Sequence, residues 1–398
     1  MPASNTLTPS SSARALTFAA YVSFVPIGIA TVLLGPMLPT LSARWSLNYS
    51  QAGALFTAQY VVSTCAVALS GFIVSFRGFR VAIKTGIVLM AAGLALLLFG
   101  PKALGIFCIA AYGGGIGLAV PAANLMVAEV NPDRRSATLN WLNFCWSVGA
   151  VACPFLVAVA VKTQTLPFFL ILISGFSLAV AIGISLMPAS IVEPAATLSE
   201  RSNVLPLVRL KLLPFLVLAA LFFIYVGTEN GFGGWVASYS KTLGSLTPAM
   251  SLMTPSFFYA ALTVGRLLAP FLLKNIDEIK LVRGGLLLAC AGTAGLLFSD
   301  GLIGVLASAC AAGLGLSYVY PITISLLSQE FGSASSRIGS VMFVLSNIGG
   351  GLFPWIVGVS SNRVGTLKAG LLIPLLGCAA MYALYLRTWH RTTIEQPA

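Results

Sequence analysis

Charge is what this sequence has least of. Only 8% of its 398 residues are Asp, Glu, Lys or Arg, and only ten of those are acids. Hydrophobic residues make up 58%, and the mean hydropathy is +0.96. So little charge cannot cover a soluble domain of this length, which makes the chain a polytopic membrane protein. Histidine is scarcer still, with His390 alone near the polar C-terminal end. The cysteines (Cys65, Cys108, Cys145, Cys153, Cys290, Cys310, Cys378) are odd in number and all sit inside apolar runs. That pattern excludes a disulfide framework, and without histidines beside them it excludes a metal site. No hydrolase or phosphate-loop motif is present, so soluble-enzyme chemistry has no residues to rest on. The start, Met1 to Ala13, is rich in Ser and Thr. It lacks the basic opening and small-residue cleavage site of a signal peptide, so secretory processing is not expected.

Long apolar runs are what the chain has instead. They fall at roughly 15–41, 50–76, 80–99, 103–128, 137–161 and 166–187, then at 211–239, 250–273, 281–298, 302–328, 337–360 and 367–386. Each is long enough to cross the hydrocarbon core, which takes about 20 apolar residues. The polar stretch Pro188 to Arg209 separates the two sets of six. The expected organisation is an N-terminal six-helix bundle (1–187), a cytoplasmic linker (188–210) and a C-terminal six-helix bundle (211–398).

The net charge of +12 is explained by topology rather than by nucleic acid. With both ends on one side, fifteen Lys and Arg fall in the loops of that side, Arg77, Arg80, Lys84, Arg134 and Arg135 among them, against six on the other. The positive-inside rule then places both termini in the cytoplasm and the chain in the cytoplasmic (inner) membrane. Gly113, Gly115, Pro121, Gly149 and Pro154 recur 200 residues later as Gly313, Gly315, Pro321, Gly349 and Pro354. Repeated halves joined by a linker are the mark of transporters whose site lies between the halves near the midplane.

One stretch concentrates the chemistry. From Tyr225 to Tyr239 the seventh run carries Glu229 and Asn230 amid Gly227, Gly231, Gly233 and Gly234, with Trp235 close behind. An acid at this depth costs about 3 kcal/mol or more on insertion scales, so it marks a functional site by default. The glycines are expected to loosen the helix, which is tolerated only where backbone lines a cavity or is buried in protein. Arg266, inside the eighth run, needs a partner or must snorkel to the interface.

The connection between the second and third runs reads Gly71-Phe72-Ile73-Val74-Ser75-Phe76-Arg77-Gly78-Phe79-Arg80. On this loop, the twelve runs and the repeat, the chain resembles the major facilitator superfamily over essentially its whole length. Ser75 and Phe76 stand where that family's loop has an Asp and its first Arg, so the ionic latch the motif implies is missing an acid. Three stretches are most similar to the fucose permease and sodium-dependent glucose transporter branch: Pro121-Ala122-Ala123-Asn124, Leu139-Asn140-Trp141-Leu142-Asn143 with Gly149-Ala150, and Glu229 to Tyr239. The resemblance implies an all-α fold of twelve transmembrane helices in two pseudo-symmetric six-helix bundles, with cation-coupled movement of a sugar or polyol. The acids of the first and fourth spans of fucose permeases are absent here, and Val120 precedes Pro121. Proton coupling by that route is closed.

The candidate solute ligands are the polar residues at mid-span: Gln59, Asn124, Asn143, Trp146, Glu229, Asn230, Trp235 and Asn347. Amides offer both donors and an acceptor to hydroxyls. Asn143 and Trp146 are three residues apart and share a helix face, an arrangement suited to gripping and stacking a pyranose. Each Asn has a plainer alternative, an interhelical hydrogen bond of about 0.6 kcal/mol. Glu229 is the sole coupling candidate, with either a proton or a sodium ion, and no other cofactor is called for. The expected partners are a small sugar-like solute and the bilayer, without nucleic acid, for a monomer. Efflux of apolar drugs and solute sensing without transport are the competing functions.

Overall fold

The computed structural model describes residues 11–186, 212–332 and 335–389. The N-terminal segment before residue 11, the 188–210 connection and His390 lie outside the described residues. Among those residues every regular element is helical. In the first half these are α1 (Ser11–Val32), α2 (Leu34–Trp45), α3 (Tyr49–Arg77), α4 (Phe79–Leu96), α5 (Lys102–Val130), a short 3-10 turn (Pro132–Arg134), α6 (Arg135–Lys162) and α7 (Leu166–Leu186). In the second half they are α8 (Leu212–Thr242), α9 (Pro248–Leu272), α10 (Glu278–Phe298), α11 (Leu302–Leu316), α12 (Val319–Phe331), α13 (Ser335–Val364) and α14 (Leu367–Trp389). Together they supply 12 spans long and apolar enough to cross a membrane. Helices are the form such spans must take, because hydrocarbon offers backbone N–H and C=O groups no other partner.

Two spans are broken, and proline explains both. α1 ends at Val32 and α2 begins at Leu34. Pro36 has no N–H to give the Val32 carbonyl, so the helical ladder is interrupted there. α11 and α12 part at Ser317 and Tyr318, four residues before Pro321, whose missing N–H leaves the Ser317 carbonyl free of the ladder. α3 starts cleanly, because Asn48 Oδ1 accepts from the Gln51 N–H at 2.8 Å and Gln51 Oε1 accepts from the Asn48 N–H at 3.3 Å.

The repeat seen in the sequence is a repeat of contacts. Gly149 of α6 lies against the Val25 carbonyl of α1, and Gly349 of α13 lies against the Phe223 carbonyl of α8. Gly113 meets the carbonyl of Gln59 on α3, and Gly313 meets that of Phe258 on α9. Gly115 abuts Gly86 and Met90 of α4, while Gly315 abuts Gly285 and Ala289 of α10. In each case the neighbouring backbone fills the place a Cβ would take. Small residues permit this approach, and in lipid it is dispersion between close backbones, not the hydrophobic effect, that holds helices together.

Between the halves, α3 packs on α13, α6 on α9, and α2 on α8. The close contacts cluster away from the chain ends: Gly53 with Pro354 and Trp355, Gly358 with Tyr49, and Gly35 with Gly233 and Gly234. On α6, Ser147, Ala150 and Pro154 share one face and are buried, whereas Asn140 and Asn143 of that face are exposed. α13 does the same, with Gly350 and Pro354 buried and Phe343 exposed. The halves therefore meet at one membrane side and separate toward the side holding the described chain ends. Arg77, Arg80, Lys84, Arg134, Arg135, Lys274, Lys280 and Arg283 flank the helix ends of that second side.

Gly149→Ala and Gly349→Ala should each lower thermal stability in detergent, since overpacking costs about 1–3 kcal/mol. Gly175→Ala, which meets nothing within 4 Å, should be neutral or stabilising by up to about 1 kcal/mol. Equal melting temperatures for all three would show that the backbone contacts do not hold the helices of each half together.

Candidate functional site

The site is built on α8. This helix runs unbroken through 31 residues, so the expected loosening at its glycines does not occur. The glycines instead admit neighbours: Phe353 against Gly227, Tyr259 against Gly233, and Phe56 against Gly234. Packing, rather than cavity-lining backbone, accounts for them. Glu229 stays within the helix, only 8% exposed.

The carboxylate is not left alone with lipid. One turn earlier, the Tyr225 hydroxyl lies against it. The same hydroxyl accepts a hydrogen bond from Arg266 Nη2 of α9 at 3.1 Å. Acid and guanidinium are thus joined through a phenol, which supplies the partner Arg266 was expected to need and joins opposite charges inside the membrane span. The Tyr320 ring of α12 stacks on Tyr225 with centroids 5.5 Å apart. Tyr60, Tyr259 and Tyr320 also stand within electrostatic reach of Glu229. Arg266 Nε is buried without a hydrogen-bond partner, so this guanidinium has donor capacity to spare.

Asn230 ties the halves together. The Tyr60 hydroxyl of α3 donates to its Oδ1 at 2.8 Å, and its Nδ2 donates to the Val226 carbonyl at 2.9 Å. Asn347 joins Tyr60, Thr57 and Thr64 in lining a crevice of about 390 Å³ between α3 and α13. Gln59, next to Tyr60, is buried and turned into the first half, where its Oε1 accepts from the Tyr112 hydroxyl at 3.4 Å. Glu229, Asn230, Tyr60 and Asn347 thus gather around the junction of α3, α8 and α13.

The remaining candidates lie apart. Asn143 is exposed and donates to its own helix at Leu139, 2.9 Å away. Trp146 is half-buried, and its indole N–H reaches Thr31 Oγ1 of α1 at 3.3 Å. Asn124 is half-buried and donates to Val120 one turn back at 2.9 Å. Neither amide, Asn143 or Asn124, makes the interhelical bond that was its plainer alternative. Trp235 is 1% exposed; its indole N–H donates to the Pro354 carbonyl of its own half at 2.9 Å, and its ring meets Tyr49 of the other half edge-on.

Sequence reasoning passed over Tyr112, Tyr259 and Tyr320. All sit inside spans, away from the interfacial belts where tyrosine is common. That displacement is a usable signal, but it does not say which side of its helix each ring occupies.

A twelve-span helical protein with repeated halves, closed at one membrane side around a buried acid, has the build of an alternating-access transporter. Residues 20–354 match the Major Facilitator Superfamily, and the chain belongs to that family of membrane transporters rather than to an enzyme family. It is similar to the L-fucose-proton symporter of Escherichia coli (strain K12), 23% identical over 402 residues covering 89% of each protein. It is also similar to the sodium-dependent glucose transporter 1A of Mus musculus, 23% identical over 141 residues, covering 35% of this chain and 33% of that one. Its fold matches the crystal structure of the major facilitator transporter FucP in the outward conformation, with TM-score 0.63 and 20% identity over 94% of this chain and 99% of that one.

The closed side should open when its contacts are crowded. Gly358 has no room for a Cβ beside the Tyr49 carbonyl, so Gly358→Val should shift the population toward the opposite opening. Ser256→Ala removes the hydrogen bond to the Val151 carbonyl across the halves and should shift it the same way by about 0.5–1.5 kcal/mol, or roughly two- to twelvefold. Labelling rates of a cysteine placed at position 57 would report both. Unchanged labelling in both variants would mean that these contacts do not close the protein.

Proposed function

We propose that this chain moves a monosaccharide-like solute across the cytoplasmic membrane by alternating access, and that one proton travels with it through Glu229. The observation that carries the reading is a mid-membrane carboxylate, buried at the junction of the halves and joined through Tyr225 to Arg266. The solutes for which the relatives are named, fucose with a proton and glucose, support the solute class. So do the exposed amide of Asn143 and the half-buried amides of Asn124, Asn230 and Asn347. In this reading residues 1–187 and 211–398 rock against each other about the closed contact, both termini are cytoplasmic, and the protein acts as a monomer.

The proton is favoured over sodium because a sodium ion needs several oxygen ligands, which in other transporters come from unwound helix carbonyls, and α8 is unbroken at Glu229. Glu229 takes up the proton as the solute loads and gives it up on the cytoplasmic side. The neutral carboxyl no longer holds Tyr225 and Arg266 by charge, and this loss is what couples loading to movement.

Uptake into proteoliposomes tests the reading. A pH gradient of one unit is worth about 1.4 kcal/mol and should support about tenfold accumulation at one proton per solute. Glu229→Gln should abolish accumulation while exchange of labelled solute continues. Accumulation that survives Glu229→Gln would place the acid in the solute site alone. Accumulation that follows a sodium gradient at fixed pH would replace the proton. Asn143→Ala should weaken solute binding by more than the roughly 0.6 kcal/mol of an interhelical bond, and unaltered binding would move the solute away from α6.

A further inference from the structure

A second concave site lies on the lipid-facing surface. α4 and α7 leave between them a groove of about 570 Å³. Its walls are Val88, Leu89 and Ala92 of α4 with Leu178 and Ile182 of α7, and one end carries Lys84, Thr85 and Ser185. Val88, Leu89, Leu178 and Ile182 are all exposed at the outer surface of the bundle, so the groove faces hydrocarbon rather than the central cavity. Lys84 lies in the second turn of α4 and Ser185 in the last turn of α7, both at the side where the described chain ends lie. From Lys84 to Ala92 is eight residues, or roughly 12 Å along a helix. That depth is close to one leaflet of a hydrocarbon core about 30 Å thick.

We infer that this groove holds an acyl chain of an anionic phospholipid from that leaflet, with its phosphate on Lys84. In hydrocarbon an apolar groove cannot fill with water, and the tails of the bilayer are what surrounds it. The cation sets this groove apart from ordinary contact with lipid. Among the described residues Lys84 pairs with no acid and donates no hydrogen bond, while Ser185 is already satisfied by the Ala181 carbonyl at 2.9 Å. A lysine at the polar end of an apolar slot complements a negative headgroup on an apolar tail, and its aliphatic stem runs along the wall while the ammonium reaches the interface.

Native mass spectrometry of the full-length protein in detergent, with phosphatidylglycerol and phosphatidylcholine of matched chains, tests the assignment. The wild type should retain phosphatidylglycerol about fivefold better, the value of one basic side chain beside an anionic surface. Lys84→Gln should bring the two lipids to parity. Ala92→Trp, at an exposed position, should fill the slot and lose the retained lipid without changing the melting temperature measured in lipid-free detergent. Equal retention by the wild type and both variants would overturn the site. So would complete displacement of the lipid by inorganic phosphate, which would reduce it to a bare anion contact. Retention found only in dimers would assign the groove to a second copy of the chain instead. None of these readouts depends on transport.

Discussion

Backbone lying directly on backbone is the contact on which this protein depends. In water, apolar faces would drive helices together, but lipid tails are as apolar as leucine and supply no such drive. What remains is dispersion at close range, which falls away within an ångström of separation. The chain meets this requirement with glycine at several crossings: Gly149 on α1, Gly349 on α8, Gly113 and Gly313 on the carbonyls of α3 and α9. The same device joins one half to the other through Gly53, Gly358 and Gly35. Within a half it makes a rigid body. Between halves the polar bonds added to it are few, chiefly Tyr60 to Asn230, Thr57 to Gly351 and Ser256 to Val151. A junction of that kind holds firmly when closed and loses most of its energy after a small displacement.

The charge at the centre follows a different rule. An acid and an arginine inside a bilayer are each costly alone and tolerable together. Here they are joined through the hydroxyl of Tyr225 rather than directly. A phenol is both donor and acceptor, so it can bond the carboxylate and the guanidinium at once. It can also stay bonded to the guanidinium if the carboxylate becomes neutral. The break between α11 and α12, next to Ser317, lies beside Gly265, and the ring of Tyr320 lies tilted against Tyr225.

Much of this was legible in the sequence, because hydropathy and glycine spacing report on packing in lipid directly. The twelve runs matched the helices to within a few residues at most ends, and the 200-residue offset of the glycines became a set of paired contacts. Glu229 and Asn230 stood out because acids and amides are rare at that depth. The behaviour of the glycines in α8 was not legible. Gly227, Gly233 and Gly234 carry the same letters whether they loosen a helix or admit Phe353, Tyr259 and Phe56, and only the neighbours decide. Trp235 was read with the solute site for its ring and its nearness to Glu229. Six residues is more than a turn and a half, and that placed it among the closing contacts instead. Tyr259 and Tyr320 were missed because a tyrosine in an apolar run announces its polarity but not the direction it faces.

The continuity of α8 has a mechanical consequence. Glu229 and Trp235 belong to one stiff rod, roughly 9 Å apart along its axis at 1.5 Å per residue. A rod without a hinge passes a tilt at one point to its whole length. A tilt of about 10° at the acid would carry the indole sideways by about 1.5 Å, given the same rise, which exceeds the range over which its packing contacts hold. Had the helix been unwound at its glycines, that tilt would have dissipated in the slack. With no slack, whatever loosens the grip of Tyr225 and Arg266 on Glu229 reaches the far closure undiminished.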